Sequence, residues 1–303
     1  MILCCGESLI DMVPENGMYR PLPGGSVYNT AVALGRLGAR TGFLWPFSQD
    51  TFAAMLRGPL VEAGVDLSLS PESRLPTTLA LVFLNNGNAT YSFYDDGTAG
   101  RMFAAESLPQ ALDTLDALFI GGISLTQDPC GATVEQLAHQ ASAAGKVVSI
   151  DLNIRPSFIS DENSTRARYN RLLKVADIVK ISDEDAEWLF PEAAPADAAM
   201  RLLDVGPKLI LRTHGSEGAT AIHASGIYTH PAQKVSVADT IGAGDTFNAG
   251  LLTSLAETAS LSKAGLDAIT EDLLRAALDL AARAAAITVS RPGANPPWRH
   301  ELG

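Results

Sequence analysis

Short apolar runs of strand length alternate along this chain with segments whose apolar residues recur at helical spacing. Glycines such as Gly38, Gly64 and Gly145 end several of the helical segments. Regular alternation predicts a mostly parallel sheet with helices on both faces, because two parallel strands need a crossover connection. We therefore expect an α/β fold of three layers, helix–sheet–helix, for which 303 residues are sufficient.

The pattern also gives approximate element boundaries. The predicted strands are residues 2–5, 41–45, 146–150, 177–181 and 208–212. The predicted helices are residues 27–37, 50–63, 133–144, 161–175 and 271–287. Residues 191–199 are rich in Ala and Pro and are expected to be a surface connection between helices.

Two segments interrupt the alternation with hairpin patterns. Residues 9–24 hold two β-rich runs around the turn sequence PENG at 14–17, and residues 76–100 hold two more around NNGN at 85–88. Asn-Gly is a strong signal for a two-residue hairpin turn. Hairpins inserted in a strand–helix series must project from the main sheet or pair elsewhere. We expect both segments to form a small β-sheet lid over a binding site, with edge hairpins of no such role as the alternative.

The composition argues against several classes of protein. A net charge of −12 provides no basic field for duplex nucleic acid or an anionic membrane. Cys4, Cys5 and Cys130 form no CxxC pair, so a thiolate zinc site or redox pair is not predicted. No apolar run is long enough to span a bilayer, and the acidic Glu7 and Asp11 follow the first apolar run at once. Neither a membrane span nor a signal peptide is expected, and the expected location is the cytoplasm.

The sequence DTIGAGDTF at 239–247 carries the strongest chemical signal. Gly242, Ala243 and Gly244 precede an apolar run of helical spacing, so they should lie at a helix N-terminus, where free N–H groups can bind an anion. Asp245 then falls in the first turn beside the anion, and we expect its pKa to be low there. An anion cradle next to a carboxylate suits phosphoryl transfer to a hydroxyl. A glycine loop followed by an aspartate cap is the alternative.

Three further motifs accompany this sequence in a fixed order along the chain: GGSVYN at 24–29, DLNIR at 151–155 and THGSEG at 213–218. Together the four motifs resemble the signatures of the ribokinase-like (PfkB) family of carbohydrate kinases, over nearly the whole length. Within that family, the sequences CGESLID at 5–11 and KISDE at 180–184 are most similar to bacterial fructokinases.

The resemblance implies one ribokinase-like kinase domain over residues 1–303, with the lid segments at about 9–24 and 76–100. It implies an ATP-dependent sugar kinase that uses Mg²⁺ and, in many members, K⁺. The reaction implied is transfer of the γ-phosphoryl to a primary hydroxyl of a ketohexose, fructose giving fructose 6-phosphate. A 2-keto-3-deoxygluconate kinase and a ribose or nucleoside kinase of the same fold remain open, as does a sugar-sensing binding protein. Many members dimerise through the lid, so a homodimer is expected besides the small-molecule sugar.

The resemblance also assigns roles. Asp245 would be the general base, and Gly242, Ala243 and Gly244 the anion hole. The residues implied in sugar binding are Asp11, Gly24, Gly25, Asn29, Arg101 and Arg155. The residues implied in ATP binding are Thr213, Gly215, Gly242 and Gly244. The ion-binding positions implied are Asp185 for Mg²⁺ through water, where many members have the longer Glu and Glu184 is a substitute, and backbone carbonyls near Asp239 for K⁺.

Chain position and side-chain chemistry add alternatives and detail to these roles. Asp11 follows the first strand at the carboxyl edge, where ligands bind in open α/β sheets, although a solvated turn residue is possible. Asn29 offers both a donor and an acceptor to vicinal hydroxyls, with a helix cap as the alternative. An aromatic slot for a nucleoside base would come from Tyr28, Phe93 and Tyr94.

The residues after the lid aromatics favour a neutral sugar. The pair at 93–94 is followed by Asp95 and Asp96, where kinases for 2-keto-3-deoxygluconate usually have an Arg. Two carboxylates at that place would repel a substrate carboxylate. Arg101 and Arg155 keep the acidic sugar open as an alternative, since either can supply a positive charge.

Overall fold

The computed structural model describes residues 1–85 and 88–303. The β-strands are β1 Ile2–Cys5, β2 Leu9–Glu15, β3 Met18–Gly24, β4 Thr41–Leu44, β5 Phe47–Ser48, β6 Glu72–Ser73, β7 Leu79–Asn85, β8 Asn88–Tyr94, β9 Ala117–Gly121, β10 Val147–Asp151, β11 Ile178–Ser182, β12 Leu209–Thr213, β13 Ala219–His223 and β14 Gly226–His230. The α-helices are α1 Ser26–Arg36, α2 Thr51–Glu62, α3 Cys130–Ala143, α4 Glu162–Leu173, α5 Asp183–Leu189, α6 Pro195–Val205, α7 Ala243–Glu257, α8 Lys263–Asp267 and α9 Glu271–Val289.

The main sheet has the strand order β14-β13-β12-β11-β10-β9-β1-β4. Neighbouring strands from β12 to β4 run parallel, whereas β13 and β14 are antiparallel at one edge. Every residue of β1, β9 and β10 is buried, as expected for parallel strands covered on both faces. The mostly parallel sheet is confirmed, and it brings the carboxyl ends of these strands to one edge.

Three strands of the main sheet were not predicted: β9, β13 and β14. The β9 sequence ALFIG is a short apolar run, and periodicity alone cannot distinguish such a run from a buried helix segment. Strands β13 and β14 are joined by Ala224-Ser225, which lacks the Asn-Gly or Gly-rich signal of a hairpin turn. Local sequence therefore left this edge of the sheet undefined.

Helices cover the sheet in two groups. Helices α1, α7 and α9 pack on one another, with α1 over β1 and β4 and α9 over β13 and β14. The second group is formed by α3, α5 and α6, which pack on strands β9 to β12, and by α4, which packs on α3. A Cβ on Gly250 of α7 would come within 2.6 Å of the Ala281 Cα in α9, so these two helices cross with their backbones close together. No helix in either described range is long and apolar enough to cross a membrane.

Helix starts follow the sequence signals at most positions. Asp50 caps α2, at the start of the helix predicted for 50–63, its carboxylate accepting from the N–H groups of Phe52 and Ala53. The prediction that residues 191–199 form only a surface connection is wrong, because α6 begins at Pro195. Proline has a suitable φ and no N–H to leave unpaired at the first helical position, so an Ala/Pro-rich segment can start a helix.

The two predicted hairpin segments pair with each other in a second, smaller sheet with the order β3-β2-β7-β8. The pairs β2–β3 and β7–β8 are antiparallel, and β2 and β7 are parallel. Asn16 (φ 52°) and Gly17 (φ 80°) form the turn of the first hairpin with positive φ at both positions, as in a type I′ turn. The turn residues predicted for the second hairpin, Asn86 and Gly87, lie outside the described residues.

Candidate active site

The start of helix α7, like the starts of α1, α3 and α6, has no side-chain cap among the described residues. Gly242 precedes it in a left-handed conformation (φ 78°, ψ 0°), and none of the described side chains caps it. Side-chain oxygens cap five other helices: Asp50 for α2, Asp161 for α4, Ser182 for α5, Ser262 for α8 and Thr270 for α9. Because a helix N-terminus has unpaired N–H groups and a positive dipole end, the start of α7 can accept an anionic ligand.

Asp245 lies in the first turn of α7, with both carboxylate oxygens hydrogen-bonded from helix α1. Ser26 Oγ donates to Oδ1 over 2.7 Å, and Asn29 Nδ2 donates to Oδ2 over 2.9 Å. The residue is only 9% exposed. Burial raises the pKa of Asp245 to about 6, although both hydrogen bonds act to lower it. The low pKa predicted from the helix N-terminus is therefore wrong, because desolvation outweighs the helix dipole at this depth.

A buried ion pair lies beneath the start of α7. Lys180 Nζ in β11 donates to the two carboxylate oxygens of Asp151 in β10 over 2.9 and 3.0 Å, and Asn248 Nδ2 in α7 donates to Asp151 Oδ2 over 2.8 Å. Burial by itself would lower the pKa of Lys180, but attraction to Asp151 and to two further aspartates raises it overall. A Cβ on Gly244 would lie 3.3 Å from Lys180 Nζ. The ammonium is thus fixed close under the glycine sequence that precedes Asp245.

The carboxylate of Asp185, implied in Mg²⁺ binding, is bonded to the backbone. Its Oδ1 accepts from the N–H of Ile154 over 2.6 Å, and its Oδ2 accepts from the N–H of Ser182 over 2.9 Å in a capping box that starts α5. Burial raises the pKa of Asp185, although Lys180 opposes the shift. Two lone pairs remain on these oxygens for water.

Residues 1–85 and 88–303 contain no group of three or more His, Cys, Asp or Glu side chains placed to hold a metal ion. A hydrated Mg²⁺ held mainly by the phosphates of a ligand still fits this edge of the sheet. Such an ion needs only one or two protein carboxylates and keeps several of its waters.

Asp11 does not follow the first strand at the sheet edge as predicted; it is the third residue of β2, in the smaller sheet. The chain leaves the main sheet after Cys5, so the acidic residue is carried out onto the hairpin. Its carboxylate lies against Gly24 of β3, where a Cβ would overlap one oxygen. Burial raises the pKa of Asp11 to about 6. A ligand that Asp11 binds would therefore contact the smaller sheet.

Glu7 fixes the start of helix α1. Gly25, with φ 112°, lies against the backbone of Glu7, and a Cβ there would come within 2.5 Å of the Glu7 carbonyl oxygen. Glu7 Oε1 accepts from the N–H of Ser26 over 3.0 Å, and Oε2 accepts from the N–H of Ser124 over 3.2 Å. Burial raises the pKa of Glu7 to about 7. The carboxylate thereby holds the helix whose side chains reach α7.

Aromatic rings connect the smaller sheet to the body of the molecule. Tyr91 and Phe93 of β8 stack with centroids 5.8 Å apart, and Phe93 meets Phe158 edge-on with centroids 3.6 Å apart. The aromatic slot predicted for a nucleoside base is wrong for Tyr28, which is buried in the core with its hydroxyl donating to Leu56 O over 3.0 Å. The described aromatic cluster is formed by β8 and the turn at Phe158.

The charges around Tyr91 show which residues β8 approaches. Burial raises the pKa of the Tyr91 phenol, Asp11 raises it further, Arg155 lowers it and Asp239 raises it. Asp11 lies on the smaller sheet, whereas Arg155 follows β10 and Asp239 lies in the loop before α7. Strand β8 is therefore within electrostatic range of predicted site residues from both sheets.

Arg101 is held by three acceptors. Its Nη1 donates to Asp95 Oδ2 over 2.9 Å, its Nη2 to Gln127 Oε1 over 3.2 Å and its Nε to Asp128 O over 2.8 Å. The ion pair offsets part of the charge of Asp95, one of the two carboxylates at 95–96, as the alternative that named Arg101 as a source of positive charge allowed. Repulsion of an acidic sugar is therefore weaker than predicted. Arg155, by contrast, is exposed, with Nη1 donating to the carbonyl oxygen of Ile154 over 3.1 Å.

The residues predicted to bind nucleotide lie at the same sheet edge. Thr213 ends β12 beside Ser182 at the end of β11, and Gly215 follows in an exposed turn. Asp239 Oδ1 accepts from the N–H of Ile241 over 3.0 Å, and its Oδ2 accepts from the N–H of Gly293 over 2.9 Å. Asp239 therefore ties the loop before α7 to the end of the chain.

Several side chains in this region were given no role from sequence, although the first four lie within the quoted motifs: Glu7, Ser26, Asp151, Lys180 and Asn248. A usable signal was present for Lys180, since a lysine within the apolar run of β11 predicts a buried ion pair. Asn248, one turn after Asp245 among apolar residues, gives a similar signal. Ser26 gives none, because serine near a helix start is ordinarily a cap.

The chain is similar to known carbohydrate kinases over nearly its whole length. A family model described as pfkB family carbohydrate kinase matches residues 3–301. A protein named fructokinase from Rhizobium leguminosarum bv. trifolii is 44% identical over 281 residues, covering 91% of this chain and 86% of its own. Fructokinase with bound ATP from Xylella fastidiosa superposes with a TM-score of 0.92 at 29% identity, covering 99% of this chain and 97% of that one. Aminoimidazole riboside kinase from Salmonella enterica, complexed with aminoimidazole riboside and an ATP analog, superposes with a TM-score of 0.87 at 26% identity. That match covers 99% of this chain and 98% of the other.

We expect Lys180→Met to reduce the free energy of unfolding by about 3–5 kcal/mol, because it leaves the buried Asp151 carboxylate without its cation. Urea unfolding followed by circular dichroism measures the change.

Two variants serve as controls. Lys180→Met/Asp151→Asn should regain most of the loss, since it removes both charges. Arg201→Met breaks the exposed pair with Glu192 and should cost less than about 1 kcal/mol. If Lys180→Met costs no more than Arg201→Met, the buried Asp151 carboxylate does not depend on Lys180 to compensate its charge.

Proposed function

Because the chain belongs to the pfkB family of carbohydrate kinases, we propose that it transfers the γ-phosphoryl of ATP to a primary hydroxyl of a ketohexose. The preferred acceptor is fructose, giving fructose 6-phosphate. The relative that is 44% identical is named fructokinase, and so is the structure with a TM-score of 0.92. These likenesses support the choice of fructose over other sugars.

The observation that carries the proposal is the carboxylate of Asp245 at the open start of α7, fixed by Ser26 and Asn29. In the reaction, the hydroxyl oxygen of the sugar forms a bond to the γ-phosphorus while the bond from that phosphorus to the bridging oxygen breaks. ADP leaves with the electron pair, and Asp245 takes the hydroxyl proton. With a pKa of about 6, Asp245 is mostly ionised at neutral pH and is a stronger base than an ordinary aspartate.

The phosphoryl group in transfer would lie at the N–H groups of Gly242, Ala243 and Gly244. Their partial positive charge and the ammonium of Lys180 beneath them oppose the negative charge of the phosphates. Thr213 and Gly215, at the adjacent strand end, would border the remaining phosphates.

The sugar would lie between the two sheets. Asp11 would accept from its hydroxyls, Gly24 and Gly25 would admit it close to the backbone, and Asn29 would contact the hydroxyl nearest Asp245. Arg155 would reach the sugar or the phosphates from the main sheet. Arg101 would act through Asp95, to which it is bound.

Mg²⁺ would be held by the phosphates and by water, with Asp185 or Glu184 ordering that water; it would supply charge neutralisation. K⁺ would be held by backbone carbonyls next to the Asp239 tie between the loop before α7 and Gly293. Both ions are proposed because the chain resembles family members that use them.

A nucleoside is the second candidate substrate. The similarity to aminoimidazole riboside kinase and the rings of Tyr91, Phe93 and Phe158 favour it. Aromatic rings of this kind can stack on a planar base, whereas a sugar gains less from them. An acidic sugar is the third, since Arg101 neutralises Asp95.

We expect kcat/KM for fructose to exceed that for ribose, adenosine and 2-keto-3-deoxygluconate by roughly tenfold or more, because a neutral ketohexose fits the hydroxyl acceptors without charge repulsion. ADP release in a coupled assay gives the rates, and NMR of the product locates the phosphate. If adenosine or the acidic sugar is favoured tenfold, fructose is not the preferred substrate.

Asp245→Asn should lower kcat by about 10²–10⁴-fold, the usual contribution of a positioned base, and leave the far-UV circular dichroism unchanged. Asp204→Asn, at an exposed carboxylate of α6, is the matched control and should retain full activity. Turnover of Asp245→Asn near that of the control would remove Asp245 from the proposed mechanism.

Adding fructose should slow amide hydrogen exchange in the described residues of β2, β3, β7 and β8, because closure of the smaller sheet over the sugar excludes water. Mass spectrometry of peptides from 9–24 and 79–94 measures the effect, with α8 as an internal reference. Unchanged exchange in both segments would show that this sheet is not a lid.

A further inference from the structure

We propose that Ser26 is a positioning residue that holds the Asp245 carboxylate in place and keeps it ionised until it receives the sugar proton. This inference rests on the proposed function, since it concerns the base of that reaction. Its basis is the hydrogen bond from Ser26 Oγ to Asp245 Oδ1, 2.7 Å long, between residues 219 positions apart.

The hydroxyl of Ser26 is fixed by the backbone around it. Ser26 is the first residue of α1, and its N–H donates to the buried Glu7 Oε1 over 3.0 Å. Its carbonyl oxygen accepts from Thr30 Oγ1 over 3.0 Å, one turn along the helix. Thr30 also donates to the Asp245 carbonyl oxygen over 3.4 Å. The two helix starts are thus joined by contacts that leave Ser26 little freedom.

Ser26 opposes the effect of burial on the base. Burial and the neighbouring Asp151 raise the pKa of Asp245, whereas Asn29, Ser26 and Lys180 lower it. Removing one donor lets the pKa rise from about 6 toward neutral pH, where a growing fraction of Asp245 would be protonated and inactive as a base.

The hydroxyl has a property that the other two groups lack. Asn29 presents its amide NH₂ to Asp245 Oδ2 and would have to turn its whole amide over to accept there, whereas the ammonium of Lys180 can only donate. Once Asp245 takes the proton of the sugar hydroxyl, its new O–H needs an acceptor. The Ser26 oxygen can accept that O–H after a rotation of its own hydroxyl. The same side chain therefore stabilises Asp245 before and after proton transfer.

Other titratable groups surround Asp245 and have to be separated from it. Those on the elements packed around it are Glu7, Asp151, Lys180 and Asp185, with Asp11 on the smaller sheet. Glu7 and Asp11 have pKa values of about 7 and about 6, close to that of Asp245. A pH–rate profile alone would not assign its acidic limb to one carboxylate.

The experiment therefore titrates Asp245 directly. The full chain is labelled with ¹³C at aspartate carboxyl carbons, and the Asp245 resonance is identified by its loss in Asp245→Asn. In Ser26→Ala we expect the pKa of Asp245 to rise by roughly one unit, the size of one charge-assisted hydrogen bond. The acidic limb of kcat/KM should move to higher pH by the same amount, so that the loss of activity is larger at pH 6 than at pH 9.

Two control variants and one replacement variant sharpen the result. Ser26→Thr keeps a hydroxyl and should restore both the titration and the pH profile. Ser262→Ala removes the hydroxyl that caps α8 and should change neither. If Ser26→Ala does not fold, Ser26→Cys replaces it, and its weaker thiol donor should raise the pKa by a smaller amount.

An Asp245 pKa unchanged in Ser26→Ala, or an activity loss equal at every pH, would overturn the inference and leave Ser26 a structural residue. These results are distinct from a failure of the proposed function. If the parent protein phosphorylates no sugar or nucleoside, the function falls, while the carboxyl titration still decides whether Ser26 controls the ionisation of Asp245.

Discussion

The ion pair between Lys180 and Asp151 is the interaction on which the candidate site depends. It joins β11 to β10, and through Asn248 it joins both to α7. Both charges are nearly inaccessible to water, with side-chain exposures of 7% and 1%. A buried pair of this kind contributes little to stability relative to an apolar core, because desolvation cancels most of the attraction. Its consequence is geometric: Asn248 ties α7 to the pair, and the ammonium lies where a Cβ on Gly244 would be only 3.3 Å from it.

The position of the start of α7 places Asp245 where the packing of α1 controls its burial and its pKa. An aspartate in the first turn of an exposed helix would have a low pKa and would be a poor base. Here α1 packs across the start of α7, removes water from the carboxylate and replaces it with two hydrogen bonds. The buried Glu7 holds α1 in that position through the N–H of Ser26. Two buried acidic side chains are thus linked: Glu7 places helix α1, and α1 in turn buries and hydrogen-bonds Asp245, the proposed base.

The sequence predicted the main sheet and the position of the glycine sequence at a helix start because both depend on local patterns. Strand–helix alternation is a property of neighbouring residues, and an apolar run after Gly244 is sufficient to place a helix start. The pKa of Asp245 could not be predicted, because its burial depends on α1, more than 200 positions away in the chain. Asp11 was misplaced for a related reason, since nothing local shows that the chain leaves the main sheet after Cys5. Strand β9 carried too short a pattern to identify.

The end of β8 in the smaller sheet carries less unpaired negative charge than its two aspartates alone would give. Asp95 and Asp96 follow the aromatic run of β8, and as bare charges they would exclude an anionic sugar. Arg101, six residues after Asp95, forms an ion pair with Asp95 and not with Asp96. The electrostatic penalty against a substrate carboxylate is therefore reduced at this position. Under the proposed function, selection among neutral sugars, acidic sugars and nucleosides would depend more on shape and on hydroxyl acceptors such as Asp11 than on net charge. The reason is that a buried acceptor left without a donor costs more than an exposed charge that is partly screened.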